Sequence, residues 1–144
     1  MSKSNTYLKK IKGLAAKNLE EGAAFLAKNA EREEVHVLPS GLQYEILVVG
    51  EGKIPTNKAE VLCHYEGKFL NGEIFDSSYK RKRPATFPVK DLIVGWQEAL
   101  VRMPVGSKWK LYIPHQLAYG FESLTPTSGG NLTLVFEMEL LAII

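Results

Sequence analysis

Cys63 and His64 stand side by side, a pairing that would suit a thiol nucleophile and its base. The residues around them alternate as in a strand, which sends neighbours to opposite faces, so the two cannot meet. Cys63 is therefore read as a small buried hydrophobe. His36, His64 and His115 lack metal-ligand spacing and are read as surface or loop residues, so no metal site is expected. No phosphate loop, dinucleotide fingerprint or carboxylate pair stands out, and no cofactor is expected. What the chain does hold is aromatic: Tyr65, Phe75, Trp96, Tyr119 and Phe136 fall in different elements, with Asp76 next to Phe75. Each alone reads as core. Together they describe an aromatic cup with one acid at its side, suited to an apolar ring such as proline and using few polar groups for orientation.

Strands and one helix must carry those side chains. Val61, Cys63 and Tyr65 alternate with Leu62, His64 and Glu66, and Asn71-Gly72 is a two-residue hairpin signal leading into Ile74-Phe75-Asp76. Earlier, Leu42, Tyr44 and Ile46 alternate with Gln43, Glu45 and Leu47; later strands are expected over Thr86–Val89, Lys108–Ile113 and Leu132–Leu141. Only Gly95–Met103 reads as helical here, because Trp96, Ala99, Leu100 and Met103 fall at i, i+3, i+4 and i+7. A short helix serving an antiparallel sheet makes an α+β arrangement in which Trp96 points at the sheet. Ahead of "LPSG" (Leu38–Gly41), the stretch from Ser4 to about Glu34 is rich in Ala, Leu, Lys and Glu and has no proline. Leu8, Ile11, Ala15, Leu19 and Leu26 recur near the helical period, giving an amphipathic helix that docks either on the following domain or on another subunit. Gly13 or Gly22 is expected to mark a bend or break.

At 144 residues and 45% hydrophobic content the chain holds one sizeable core, divided here into a helical extension, residues 1–37, and a domain, residues 38–144. A net charge of +2 makes no case for a nucleic-acid or membrane partner. Lys3, Lys9, Lys10, Lys12 and Lys17, and the "YKRKR" run Tyr79–Arg83, are read as solvated charge. A lone cysteine permits no internal disulfide, which fits a reducing compartment. Lys12 and Lys17 interrupt the apolar run of an export signal, and no stretch reaches the ~20 apolar residues of a membrane span. A soluble, cytoplasmic protein is expected.

Against this background "CHYEGKFLNGEIFDSS" (Cys63–Ser78), "FPVKDLIVGWQEALVRMPVGSKWKLYIP" (Phe87–Pro114), "LAYG" (Leu117–Gly120) and "LTLVFEMELL" (Leu132–Leu141) closely resemble the FKBP-type peptidyl-prolyl cis-trans isomerases. The segment "NLEEGAAFLAKNAEREEVHVLPSGLQYEI" is similar to the helix and first strand of the bacterial Mip-like branch. The resemblance implies a five- or six-stranded antiparallel sheet wrapped around one short helix, with a pocket between them. It implies a pocket of Tyr65, Phe75, Asp76, Leu92, Ile93, Trp96, Tyr119 and Phe136, with Trp96 as floor and Phe75 and Phe136 as walls. The Ile93 N–H and the Tyr119 hydroxyl would meet substrate carbonyls, and Arg81 would pair with Asp76. Ala85, where many eukaryotic relatives have phenylalanine, would widen one side, and Leu124 would stand in for an aliphatic residue over the pocket. The implied activity is rotation of X-Pro bonds in proline-containing peptides and unfolded clients, with a non-catalytic peptide-binding or chaperone module as the alternative. Tacrolimus- or rapamycin-like macrolides would be inhibitors. Mip-like proteins dimerise through a longer helical segment, so a monomer is expected rather than a homodimer.

Overall fold

Glu60–Lys68 is the strand around which the sheet is organised, because its sequence alternates without interruption. Val61, Cys63, Tyr65 and Gly67 face inward while the residues between them are half-covered. The structure, a computed structural model, describes residues 3–144; Met1, Ser2 and the side chains of Lys3, Ser4 and Asn5, parts of the expected extension and its basic cluster, lie outside the described residues. In chain order the elements are α1 (Lys3–Asn29), β1 (His36–Val37), β2 (Gln43–Val48), β3 (Glu60–Lys68), β4 (Ile74–Ser77), β5 (Ala85–Pro88), α2 (Val94–Leu100), β6 (Lys108–Ile113) and β7 (Leu134–Ile143).

The sheet is antiparallel throughout, in the order β1-β2-β6-β7-β3-β4, with β5 also pairing β3. This is the expected α+β architecture. The strand count reaches seven because β5 and then β4 share one edge of β3, and because the two-residue β1 is added outside β2. His36 and Val37, at the end of the expected extension, thus form the outer edge of the sheet. The pairing register sets Gly67 opposite both Phe136 on β7 and Asp76 on β4.

Packed on the sheet, α2 buries Trp96, Ala99 and Leu100, and Met103 just beyond it, as their spacing predicts. Leu100 and Met103 are wholly inaccessible, as are Leu111, Ile113, Met138 and Leu140 of the facing strands. Burying each such side chain is worth about 1.5–3 kcal/mol. Gly95 is required here, since a Cβ would stand 2.7 Å from Ile113 Cγ2.

Three local expectations differ from the structure. The hairpin after β3 is longer than a two-residue turn: Gly72 N–H donates to Phe69 O (3.0 Å), Phe69 N–H to Glu73 O (2.9 Å), and only Gly72 takes a positive φ, 91°. Asn71 instead caps the turn, its side-chain oxygen accepting from Glu73 N at 2.9 Å. On β2, Gln43 is buried while Ile46 is 41% exposed, because α1 covers the Gln43 face and the amide is satisfied by Leu26 O (2.9 Å) and Asn29 Nδ2 (2.9 Å). Finally, α1 runs unbroken through Gly13 and Gly22 and docks on its own domain. Its docked face is Ile11, Leu14, Ala15, Asn18, Gly22, Phe25, Leu26 and Asn29, whereas Leu8 (53%) and Leu19 (45%) remain exposed. Gly22 lets the helix approach so closely that a Cβ would lie 2.3 Å from Thr133 Oγ1.

Candidate active site

The concave side of the sheet, where α2 begins, holds a cavity of about 250 Å³ lined by Tyr65, Phe75, Asp76, Leu92, Ile93, Trp96, Tyr119 and Phe136, with Asp91 at the edge. The strands and loops that carry these residues are far apart in sequence, and the register through Gly67 brings the walls together. A Cβ on Gly67 would stand 2.6 Å from Phe75 Cζ and 2.7 Å from Phe136 Cε1, so both rings lean over bare backbone. Sequence reasoning passed over Gly67, although a glycine inside a clear strand pattern is itself a sign of close approach.

Trp96 forms the base. Its indole meets Tyr65 (5.1 Å, 71°), Phe87 (5.6 Å, 89°) and Phe136 (5.1 Å, 89°) edge-on, and Phe75 meets Phe136 at 5.5 Å and 87°. Edge-to-face contacts fix ring planes better than loose packing does, leaving a rigid apolar wall. Trp96 Nε1 is buried without a partner among the described residues.

The polar side of the cavity is a small network. Tyr65 hydroxyl donates to Asp76 Oδ2 at 2.7 Å, Arg81 Nη2 donates to the Tyr65 oxygen at 2.8 Å, and Arg81 Nη1 pairs with Asp76 Oδ1. Burial pulls the Asp76 carboxyl upward, but the Tyr65 hydroxyl and Arg81 together hold it below the usual carboxylate range. Asp76 is thus a charged acceptor beside apolar rings. Burial and then the Asp76 hydrogen bond push the Tyr65 hydroxyl up, and burial and then the Asp76 charge push up Tyr119. Both phenols stay protonated. The Tyr119 hydroxyl has no protein partner among the described residues, so it is available as a donor.

Ile93 immediately precedes α2 in extended conformation, and its N–H also lacks a partner among the described residues. Gln97, one turn into the helix, braces this corner by donating to Leu92 O at 2.6 Å and Lys90 O at 3.2 Å. Two donors, Ile93 N–H and Tyr119 hydroxyl, therefore border a dry aromatic cup with one fixed carboxylate.

Three of the residues singled out from the sequence lie off the lining. Arg81 stands behind Asp76, exposed and 5.6 Å from the Tyr65 ring centroid. Ala85, on β5, pairs with Cys63 of β3 and packs against the core, and Leu124 packs on the core from the loop 121–131. Of the histidines, His36 is exposed as expected, whereas His64 and His115 are partly covered. His64 Nδ1 is 2.8 Å from Ser78 Oγ, and its ring stacks on Tyr79 at 4.5 Å. His36 stacks on Tyr44, and His115 Nδ1 is buried without a partner among the described residues. Cys63 is fully buried, and burial pushes its thiol up to about 12. Among the described residues no group of His, Cys, Asp and Glu could hold a metal ion.

Residues 51–141 match the family model of FKBP-type peptidyl-prolyl cis-trans isomerases, and residues 2–46 match that of the domain amino-terminal to such isomerases. The chain is 48% identical over 126 residues to "Peptidyl-prolyl cis-trans isomerase Mip" of Coxiella burnetii, covering 88% of this chain and 55% of that protein. It is 49% identical over 124 residues to the "FKBP-type 22 kDa peptidyl-prolyl cis-trans isomerase" of Escherichia coli, covering 86% and 60%. It spans, then, little more than half the length of these curated relatives. Among solved structures, FkpA from Escherichia coli superposes with a TM-score of 0.89 at 35% identity, over 94% of this chain and 63% of that one.

Proposed function

Because the chain belongs to the FKBP-type peptidyl-prolyl cis-trans isomerase family, we propose that it accelerates rotation about X-Pro peptide bonds by non-covalent stabilisation of the twisted amide. The observation that carries this reading is the cavity bounded by Trp96, Phe75, Phe136 and Tyr65 and edged by the Ile93 N–H and Tyr119 hydroxyl, both without a partner among the described residues.

Rotating an amide costs about 18–20 kcal/mol because resonance is lost at the perpendicular geometry. No bond need break, so no nucleophile is called for. Holding the twisted form about 7 kcal/mol better than the planar isomers gives roughly a 10⁵-fold acceleration. The twisted amide has less charge separation than the planar one, so apolar walls favour it over both ground states. The proline ring would rest on the Trp96 face between Phe75 and Phe136. The carbonyls flanking it would accept from Ile93 N–H and Tyr119, and Asp76, held charged by Arg81, would keep the polar side fixed.

Proline-containing peptides and unfolded clients are the proposed substrates, and macrolides of the tacrolimus or rapamycin type are the proposed inhibitors. A cis-to-trans assay on a short Xaa-Pro peptide, with and without such a macrolide, tests the proposal: acceleration that the macrolide abolishes supports it, and no acceleration by pure folded protein overturns it. Suppression of client aggregation without turnover would favour a non-catalytic chaperone instead. We read the free chain as a monomer, which sedimentation at several concentrations tests. We also read the setting of the chain as cytoplasmic, which cell fractionation tests.

A further inference from the structure

We propose that Asn18 of the N-terminal helix is a positioning residue for the pocket, acting on Tyr119 through the base of the loop 121–131; this rests on the isomerase reading of that pocket. Asn18 Nδ2 donates to Ser128 O at 2.8 Å and to Gly130 O at 3.0 Å, bridging more than a hundred residues of sequence. Asn131 Nδ2 returns a contact to Ala15 O at 3.4 Å. Gly129, at φ +73°, sits so close to α1 that a Cβ would lie 2.8 Å from Leu14 Cβ.

The same residues close the loop on the side of the pocket. Asn131 N–H donates to Gly120 O at 2.7 Å, and Gly120 N–H donates to His115 O at 2.9 Å. Gly130 is pressed against the Phe121 carbonyl, which a Cβ would approach to 2.2 Å. Gly120 directly follows Tyr119, whose side chain lines the cavity. The physical chain is therefore short: Asn18 holds Gly130, its neighbour Asn131 holds Gly120, and Gly120 sets Tyr119.

Beside these contacts, Glu122 N–H donates to Tyr119 O at 3.0 Å and Leu124 packs on the core, but among the described residues Asn18 is the side chain that ties Ser128 and Gly130 to α1. The Phe121 side chain is 90% exposed, and the bonds that Leu124 N–H (3.1 Å) and Thr125 N–H (3.0 Å) donate to Ser128 Oγ are internal to the loop. Asn131 itself holds a positive φ of 56°, a conformation that its surroundings must maintain. Gly130 is buried, and Asn18 is the side-chain donor its carbonyl has among the described residues, so Asn18→Ala removes that tie. A pocket donor that must meet a substrate carbonyl within tenths of an ångström thus depends on a helix outside the sheet.

The test compares Asn18→Ala with Asn29→Ala in the full chain. Asn29 also fixes α1, through Gln43 Oε1 at 2.9 Å, but on β2, away from the loop. Asn18→Ala is expected to lower kcat/KM on an Xaa-Pro peptide about fivefold, mainly through KM, and to speed hydrogen exchange of the Asn131 amide about tenfold. Asn29→Ala is expected to lower Tm while leaving both readings as in wild type. Unchanged kcat/KM in Asn18→Ala, or equal losses in both variants tracking Tm, would overturn the assignment. If wild type itself fails to accelerate isomerisation, the isomerase reading falls; peptide affinity read by tryptophan fluorescence then replaces kcat/KM in the same comparison, and the exchange measurement stands unaltered.

Discussion

Tyr119 and Tyr65 bring the same group to one cavity and should respond differently to its loss. The Tyr119 hydroxyl has no protein partner among the described residues, so Tyr119→Phe leaves nothing orphaned; it is expected to keep Tm while lowering kcat/KM by a few-fold to tenfold, the worth of one hydrogen bond at about 0.5–1.5 kcal/mol. Tyr65→Phe removes the donor to Asp76 and the acceptor for Arg81, so it is expected to reduce both activity and stability. Asp76 supplies a pH test. Its carboxyl lies below the usual value in the folded protein, so the stabilisation it contributes is present above the unfolded pKa of about 3.9 and is lost as pH falls through the lower folded value. Urea midpoints should therefore decline on acidification, and Asp76→Asn should flatten that decline. A slope unchanged by the substitution would remove Asp76 from this role. The residue set around the cavity was legible from aromatic types and family motifs. Gly67 and Gln97 were not, because one acts by having no side chain and the other through backbone carbonyls.

At the scale of elements, α1 shows what periodicity can and cannot tell. The helix itself was plain from composition, and Ile11, Ala15 and Leu26 of the expected stripe do dock, yet the docked face also takes in Asn18, Gly22 and Asn29 and excludes Leu8 and Leu19. A search for apolar residues at helical spacing ranks leucine above glycine, whereas close approach and amide hydrogen bonds make the opposite choice. The two helix glycines separate these effects. Around Gly13 a Cβ would meet nothing within 4 Å, so Gly13→Ala is expected to stabilise the protein by about 0.5–1 kcal/mol through helix propensity alone. Gly22→Ala gains the same propensity but drives a methyl into Thr133, and the net effect is expected to be a loss in Tm. Chemical denaturation of both variants checks the pair, and equal shifts of one sign would show that α1 does not dock as described. The hairpin after β3 carries a related lesson: Asn-Gly marked the right place, while the turn type depended on the Asn71 side chain bonding to its own loop.

For the molecule as a whole, Cys63 reports on integrity. It lies on β3 between β7 and β5, fully covered, with its thiol pushed up to about 12 by burial. A thiol reagent at neutral pH should label it only as fast as the sheet opens, and labelling should quicken with urea in step with unfolding. Rapid labelling of native protein would contradict that burial. The α+β class was readable from the sequence because strand alternation and the helix of Trp96 are local signals. The strand order was not, since it is set by non-local pairing, and here β7, the latest strand to be made, lies between β6 and β3. Translation supplies residues 134–143 after every strand they join. On the ribosome, therefore, β2 with β6 and β3 with β4 and β5 must wait as separate halves with bare inner edges. Until β7 arrives, the nascent chain is open to the mispairing from which folding helpers shield other proteins.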